Sequence, residues 1–113
     1  MSRISTHVLD TATGKPAAGI LVALKRAAPD KRSWHSVGSS ITDAGGRIAS
    51  ILDASETLQA GVYQLIFHVN DYFDAQAHFY PEIAVQFVVH DPSAHYHVPL
   101  LLSPYGYTTY RGS

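Results

Sequence analysis

The chain has 113 residues, with eight Lys and Arg set against nine Asp and Glu for a formal net charge of −1. That balance lacks the concentrated basic face that nucleic-acid binding requires, and it gives no reason to invoke a membrane surface. There are no cysteines, which excludes disulfides and thiolate metal sites, and no apolar run approaches the roughly 20 residues of a membrane span.

The length fits one domain over residues 1–113, and 46% hydrophobic residues are enough for an ordinary core. The opening MSRISTH lacks the apolar stretch of a secretory leader, so the expectation is a cytoplasmic protein. Seven histidines are the compositional oddity, because imidazole alone titrates near neutral pH without perturbation.

Short β-rich runs alternate with turn clusters, the pattern of an all-β sandwich or barrel. Ile4–Asp10 reads as a first strand closed by the Thr11–Pro16 turn, and Ile20–Ala27 as a second ending near Pro29. Trp34–Thr42 makes a third, Asp43-Ala44-Gly45-Gly46 is a strong turn, and Arg47–Leu52 follows as a short strand. Val62–Asn70 comes next. A helix is predicted over Asp71–Tyr80, capped by Asn70 or Asp71 and stopped by Pro81. Ile83–His90, Tyr96–Leu102 and Gly106–Tyr110 complete about eight strands, which pack most naturally as a two-sheet sandwich.

Side chains alternate along a strand. Tyr96, Val98, Leu100 and Leu102 therefore share a core face, leaving His95, His97, Pro99 and Leu101 outward; likewise Ile4, Thr6 and Val8 face inward and Ser5, His7 and Leu9 outward. His7 and His97 are thus not core histidines. Leu9 and Leu101 beside them suggest a surface covered by another subunit. Trp34, Tyr63 and Phe67 are expected in the core.

The pair His95-x-His97 admits three readings: half of a metal site, a surface pair without a role, or acid–base groups. No sequence pattern supplies a third metal ligand. Arg47, just after Gly45-Gly46, is either a solvated hairpin arginine or a planar donor for a carbonyl or anion. His35, His68, His78 and His90 read as structural or surface residues. The tyrosines Tyr105, Tyr107 and Tyr110 suggest a packed terminal strand, which would deliver Arg111, Gly112 and Ser113 to a fixed place.

Three stretches carry a family resemblance: STHVLDTATGKPA (Ser5–Ala17), DAGGR (Asp43–Arg47) and HYHVPLLLSPYGYTTYRGS (His95–Ser113). The chain resembles the 5-hydroxyisourate hydrolases, the transthyretin-related enzymes of urate breakdown. The final YRGS is the most specific part, since the hormone carrier transthyretin lacks it. The resemblance implies a transthyretin-like two-sheet β-sandwich with one short helix after the fifth strand, assembled as a homotetramer, a dimer of dimers with active sites between the dimers. It implies catalytic roles for His7, Arg47, His97 and Ser113, a substrate-lining role for Tyr110, Arg111 and Gly112, and a supporting place for His95. It also implies hydrolysis of the small molecule 5-hydroxyisourate without metal or organic cofactor. Two other readings stand beside it: a small-ligand carrier of the transthyretin type, and a metal-binding domain using His95 and His97.

Overall fold

A computed structural model describes residues 2–113. Its strands are β1 (Arg3–Asp10), β2 (Lys15–Pro16), β3 (Leu21–Ala27), β4 (Trp34–Ile41), β5 (Arg47–Ile48), β6 (Gly61–His68), β7 (Ile83–Val89), β8 (His95–Ser103) and β9 (Gly106–Thr109), with one helical turn, α1 (Asn70–Phe73), between β6 and β7. One sheet runs β2-β1-β8-β9 with β5 also paired to β1; the other runs β4-β3-β6-β7. This is the two-sheet β-sandwich expected from the sequence. Among the described residues no helix is long and apolar enough to cross a membrane.

The two sheets bury the faces that alternation assigns to them. Ile4 and Val8 of β1 and Tyr96, Val98, Leu100 and Leu102 of β8 join Val22, Leu24, Tyr63, Leu65 and Phe67 from the opposite sheet in one core. Each fully buried large apolar side chain contributes about 1.5–3 kcal/mol relative to exposure, before the entropy of ordering it. Thr6 shares the inner face and is 1% exposed. Its hydroxyl donates to the Val98 carbonyl at 2.6 Å, so this buried hydroxyl is paired. Asp10, also buried, accepts from the amides of Ala12 (3.0 Å) and Thr13 (3.3 Å) through Oδ1 and from the Tyr72 hydroxyl (2.7 Å) through Oδ2. Burial pushes the Tyr72 phenol up to about 12, with the Asp10 hydrogen bond and charge adding to it.

The centre of the first sheet is the parallel pairing of β1 with β8, in continuous register from Arg3↔His95 to Asp10↔Leu102. Parallel partners need a long crossover, and here the whole second sheet lies within it.

Four expectations change. Lys15–Pro16, read as a turn, pairs with Leu9 and Asp10 as β2. The expected strand Arg47–Leu52 pairs only over Arg47–Ile48. Beyond it the chain leaves the sheet, and the Ile51 amide donates to the Ile4 carbonyl (2.9 Å) and the Asp53 amide to Val37 (2.8 Å). The helix predicted over Asp71–Tyr80 stops after Phe73, because Asp74 turns to φ 51° and the following segment is pinned by long-range bonds. The Phe79 amide donates to Pro104 at 2.8 Å, and the Asn70 amide donates to Pro81 at 3.0 Å. Finally Trp34 is 37% exposed rather than core, because it begins the edge strand β4; Tyr63 and Phe67 are fully buried.

Candidate active site

Register decides which outward side chains meet. Along the β1–β8 ladder Ser5 is opposite His97, His7 opposite Pro99 and Leu9 opposite Leu101. On the other side of β1, β5 places Arg47 opposite His7. Imidazole and guanidinium from separate segments therefore share one face of the sheet.

The turn before Arg47 is held by its own chemistry. The Asp43 carboxylate accepts from the amides of Gly45 and Arg47, each at 2.9 Å, and the Asp43 amide donates to the Arg47 carbonyl at 3.0 Å. Gly46 takes φ 74°, where L side chains are rare, and a Cβ there would overlap the Val8 carbonyl oxygen. The Val8 amide donates to the Gly46 carbonyl at 2.8 Å, which joins the turn to β1.

The C-terminal residues approach from the β8 side. The Gly112 amide donates to the His97 carbonyl at 2.8 Å, forming an antiparallel bridge. A Cβ on Gly112 would lie 2.6 Å from His97 Cδ2 and 3.3 Å from Pro99 Cγ, so only glycine permits this approach. Pro99 is consequently buried although it lies on the outward face. Arg3, Ser5, Arg47, His95, His97 and Ser113 together line a cavity of about 350 Å³, open to solvent in the single chain.

Of the tail residues singled out in the sequence, Ser113 lines this cavity and Gly112 packs on its His97, whereas Tyr110 and Arg111 lie elsewhere. The Arg111 guanidinium stacks 4.4 Å over the Tyr96 ring, a cation–π contact, and both residues line a second cavity with Val85 and Phe87. A larger cleft, about 640 Å³, lies at the β3–β4 hairpin by Arg26, Lys31 and His35, but it contains none of the residues gathered on the β1–β8 face. His35 and His68 stand near Glu56 (3.7 Å) and Glu82 (3.6 Å), and His78 contacts Asn70 Oδ1 and the Gln76 carbonyl, each at 2.7 Å.

Two participants are not singled out as site residues by the sequence. The Ser5 hydroxyl lies 2.6 Å from His95 Nε2 and 2.7 Å from His97 Nδ1, and Arg3 Nε lies 3.3 Å from the same His95 nitrogen. Burial holds the His97 imidazole below its usual 6.5, reinforced by the positive charges that His95, His7, Arg47 and Arg3 place around it. His95 is also lowered, by partial burial and then by Arg3. A neutral imidazole that shares a cavity with a guanidinium can take a proton from water while the cation meets a developing oxyanion. Among the described residues no group of three or more metal-ligating side chains is gathered.

A two-sheet sandwich carrying a histidine–arginine cluster on its outer face defines a transthyretin-like protein. The chain belongs to the HIUase/transthyretin family, whose model matches residues 4–112. It is 45% identical to the 5-hydroxyisourate hydrolase of Deinococcus radiodurans, covering 97% of this chain and 95% of that one. Among solved structures, Klebsiella pneumoniae 5-hydroxyisourate hydrolase matches with a TM-score of 0.83 at 35% identity over 99% of this chain and all of that one. Transthyretin from Sparus aurata matches with a TM-score of 0.88 at 28% identity, covering 99% and 97%.

Proposed function

We propose that this protein is an enzyme that hydrolyses 5-hydroxyisourate, opening its cyclic amide to give 2-oxo-4-hydroxy-4-carboxy-5-ureidoimidazoline. One observation carries the reading: His97, kept neutral by burial and surrounding cations, shares a cavity with Arg47 and Ser113 while His7 stands opposite Arg47.

Water adds to the carbonyl carbon of the six-membered ring as one imidazole takes its proton. Arg47 stabilises the oxyanion that forms. As the tetrahedral intermediate collapses, the carbon–nitrogen bond breaks and the imidazolium returns the proton to the departing nitrogen, so the net change is addition of one water. Ser113 hydrogen-bonds the substrate or the water. Gly112 shapes the wall by its close approach to His97, Arg111 anchors the tail through its contact on Tyr96, and Tyr110 stands beside it at the second cavity. The chemistry requires no cofactor.

The open cavity and the half-buried Leu9 and Leu101 on the same outward face of the sheet support assembly as a homotetramer, a dimer of dimers that encloses the site between dimers and dries it. The cytoplasmic location belongs to the same proposal. A carrier of apolar hormones has no use for paired proton-transfer groups, and the full-length 45% identity is to a hydrolase.

The test is direct: 5-hydroxyisourate generated freshly with urate oxidase should decay faster with the protein than without it. Decay at the spontaneous rate overturns the proposal.

A further inference from the structure

We infer that Ser5 is a positioning residue that, with His95 and Arg3, holds His97 in the tautomer carrying its proton on Nδ1. That leaves Nε2 bare as the group that receives the proton of the attacking water. The kinetic part of this inference rests on the proposed hydrolysis; the tautomer itself does not.

The direction of each hydrogen bond follows from what the groups are able to do. An arginine Nε carries a hydrogen and can only donate. It lies 3.3 Å from His95 Nε2, so that nitrogen presents its lone pair. Ser5 Oγ lies 2.6 Å from the same nitrogen and therefore directs its single proton there. Having donated, the Ser5 oxygen accepts from its other neighbour, His97 Nδ1 at 2.7 Å, which must bear a hydrogen. A neutral imidazole has one N–H. Its remaining nitrogen, Nε2, is bare.

The same chain works after proton transfer. An imidazolium at His97 keeps the Nδ1–H to Ser5 unchanged, so the site needs no rearrangement between its resting and charged forms. The arrangement also separates the two histidines of the site. His97 has a hydrogen-bonded chain behind it that fixes its ring, whereas His7 is placed by its strand register opposite Arg47 and Pro99. Around His97 stand Arg3, Ser5 and His7 from β1, Arg47 from β5, His95 from β8 and Ser113 from the tail.

The test combines nitrogen-15 NMR of the histidine rings with kinetics. In the wild type above the titration of His97, its Nδ1 should be the protonated nitrogen and Nε2 the bare one, with His97→Gln used to assign the signals. Ser5→Ala should shift His97 toward the other tautomer and lower kcat on the order of tenfold, with unchanged circular dichroism. Arg3→Met keeps the Ser5 hydroxyl but removes the donor that sets its direction, so His97 should become a mixture of tautomers. A wild-type His97 protonated on Nε2, or a Ser5→Ala enzyme with unaltered tautomer and kcat, overturns the inference. If the wild type fails to accelerate 5-hydroxyisourate decay, the proposed function falls while the ring signals still decide the tautomer.

Discussion

The backbone amide of Gly112 hydrogen-bonds the carbonyl of His97 at 2.8 Å, and the two residues are so close that a single methyl group does not fit between them. The tail is thereby part of the wall that holds the imidazole. Gly112→Ala should displace either the ring or the tail. Activity should fall by about tenfold or more, as expected for a misplaced acid–base group. Thermal unfolding should change little, since Gly112 lies outside the core. A variant with wild-type turnover would show that the approach carries no positional information.

His7→Ala, Arg47→Ala and His97→Ala each remove an imidazole or the guanidinium to which the proposed hydrolysis assigns proton transfer or oxyanion binding. Each should lower kcat/KM by roughly 10²-fold or more while circular dichroism stays unchanged. A residue whose loss leaves the rate intact has no part in the reaction.

The lowered position of His97 has a definite sign in pH. In the unfolded chain this imidazole titrates near 6.5; folded, it takes up its proton only at lower pH. The base form therefore persists somewhat below 6.5, and the acid limb of kcat/KM should have its midpoint below that value. Stability runs the same way: the unfolded chain binds more protons in that window, so stability is lost as pH falls through it. Urea unfolding of His97→Gln should show a smaller loss between pH 7 and 5 than the wild type, and an equal loss would assign the effect elsewhere.

Tyr72→Phe removes the hydroxyl that serves Asp10 Oδ2 while leaving the ring. The carboxylate is 5% exposed, so stranding one of its oxygens should cost about 1–3 kcal/mol of stability in denaturant titration at neutral pH. For the wild type, the contribution of the neutral phenol is present below pH 10 and lost as pH rises towards about 12.

Alternation alone was enough to put His7 and His97 on the outward face and Tyr96, Val98, Leu100 and Leu102 in the core, because a half-buried strand writes its period into the sequence. It was not enough to find Ser5. A serine beside a strand histidine is unremarkable until parallel register brings it opposite His97, and register with a strand some ninety residues away has no local signature. The same limit explains the helix, which ends at Asp74 while the hydrogen bond from Phe79 to Pro104, between β8 and β9, fixes the segment after it. It explains Trp34 as well, since only the sheet order reveals that its strand is an edge. Arg111 is assigned to the substrate lining by the family resemblance. Its contact with Tyr96 depends on which way the last residues turn after β9.

The parallel ladder between β1 and β8 joins residues 92 positions apart, as in the Ser5–His97 contact. Closing a loop of that length costs roughly 4 kcal/mol of chain entropy before any pairing repays it. Refolding should accordingly run in milliseconds to seconds rather than microseconds, as for other topologies dominated by distant pairings. Until β8 docks, β1 presents bare amides and carbonyls along the flank it will later share, a surface on which another nascent chain can add. The histidine–arginine cluster thus depends on one of the costliest encounters in the folding of this chain, and variants that delay that encounter should yield less soluble protein.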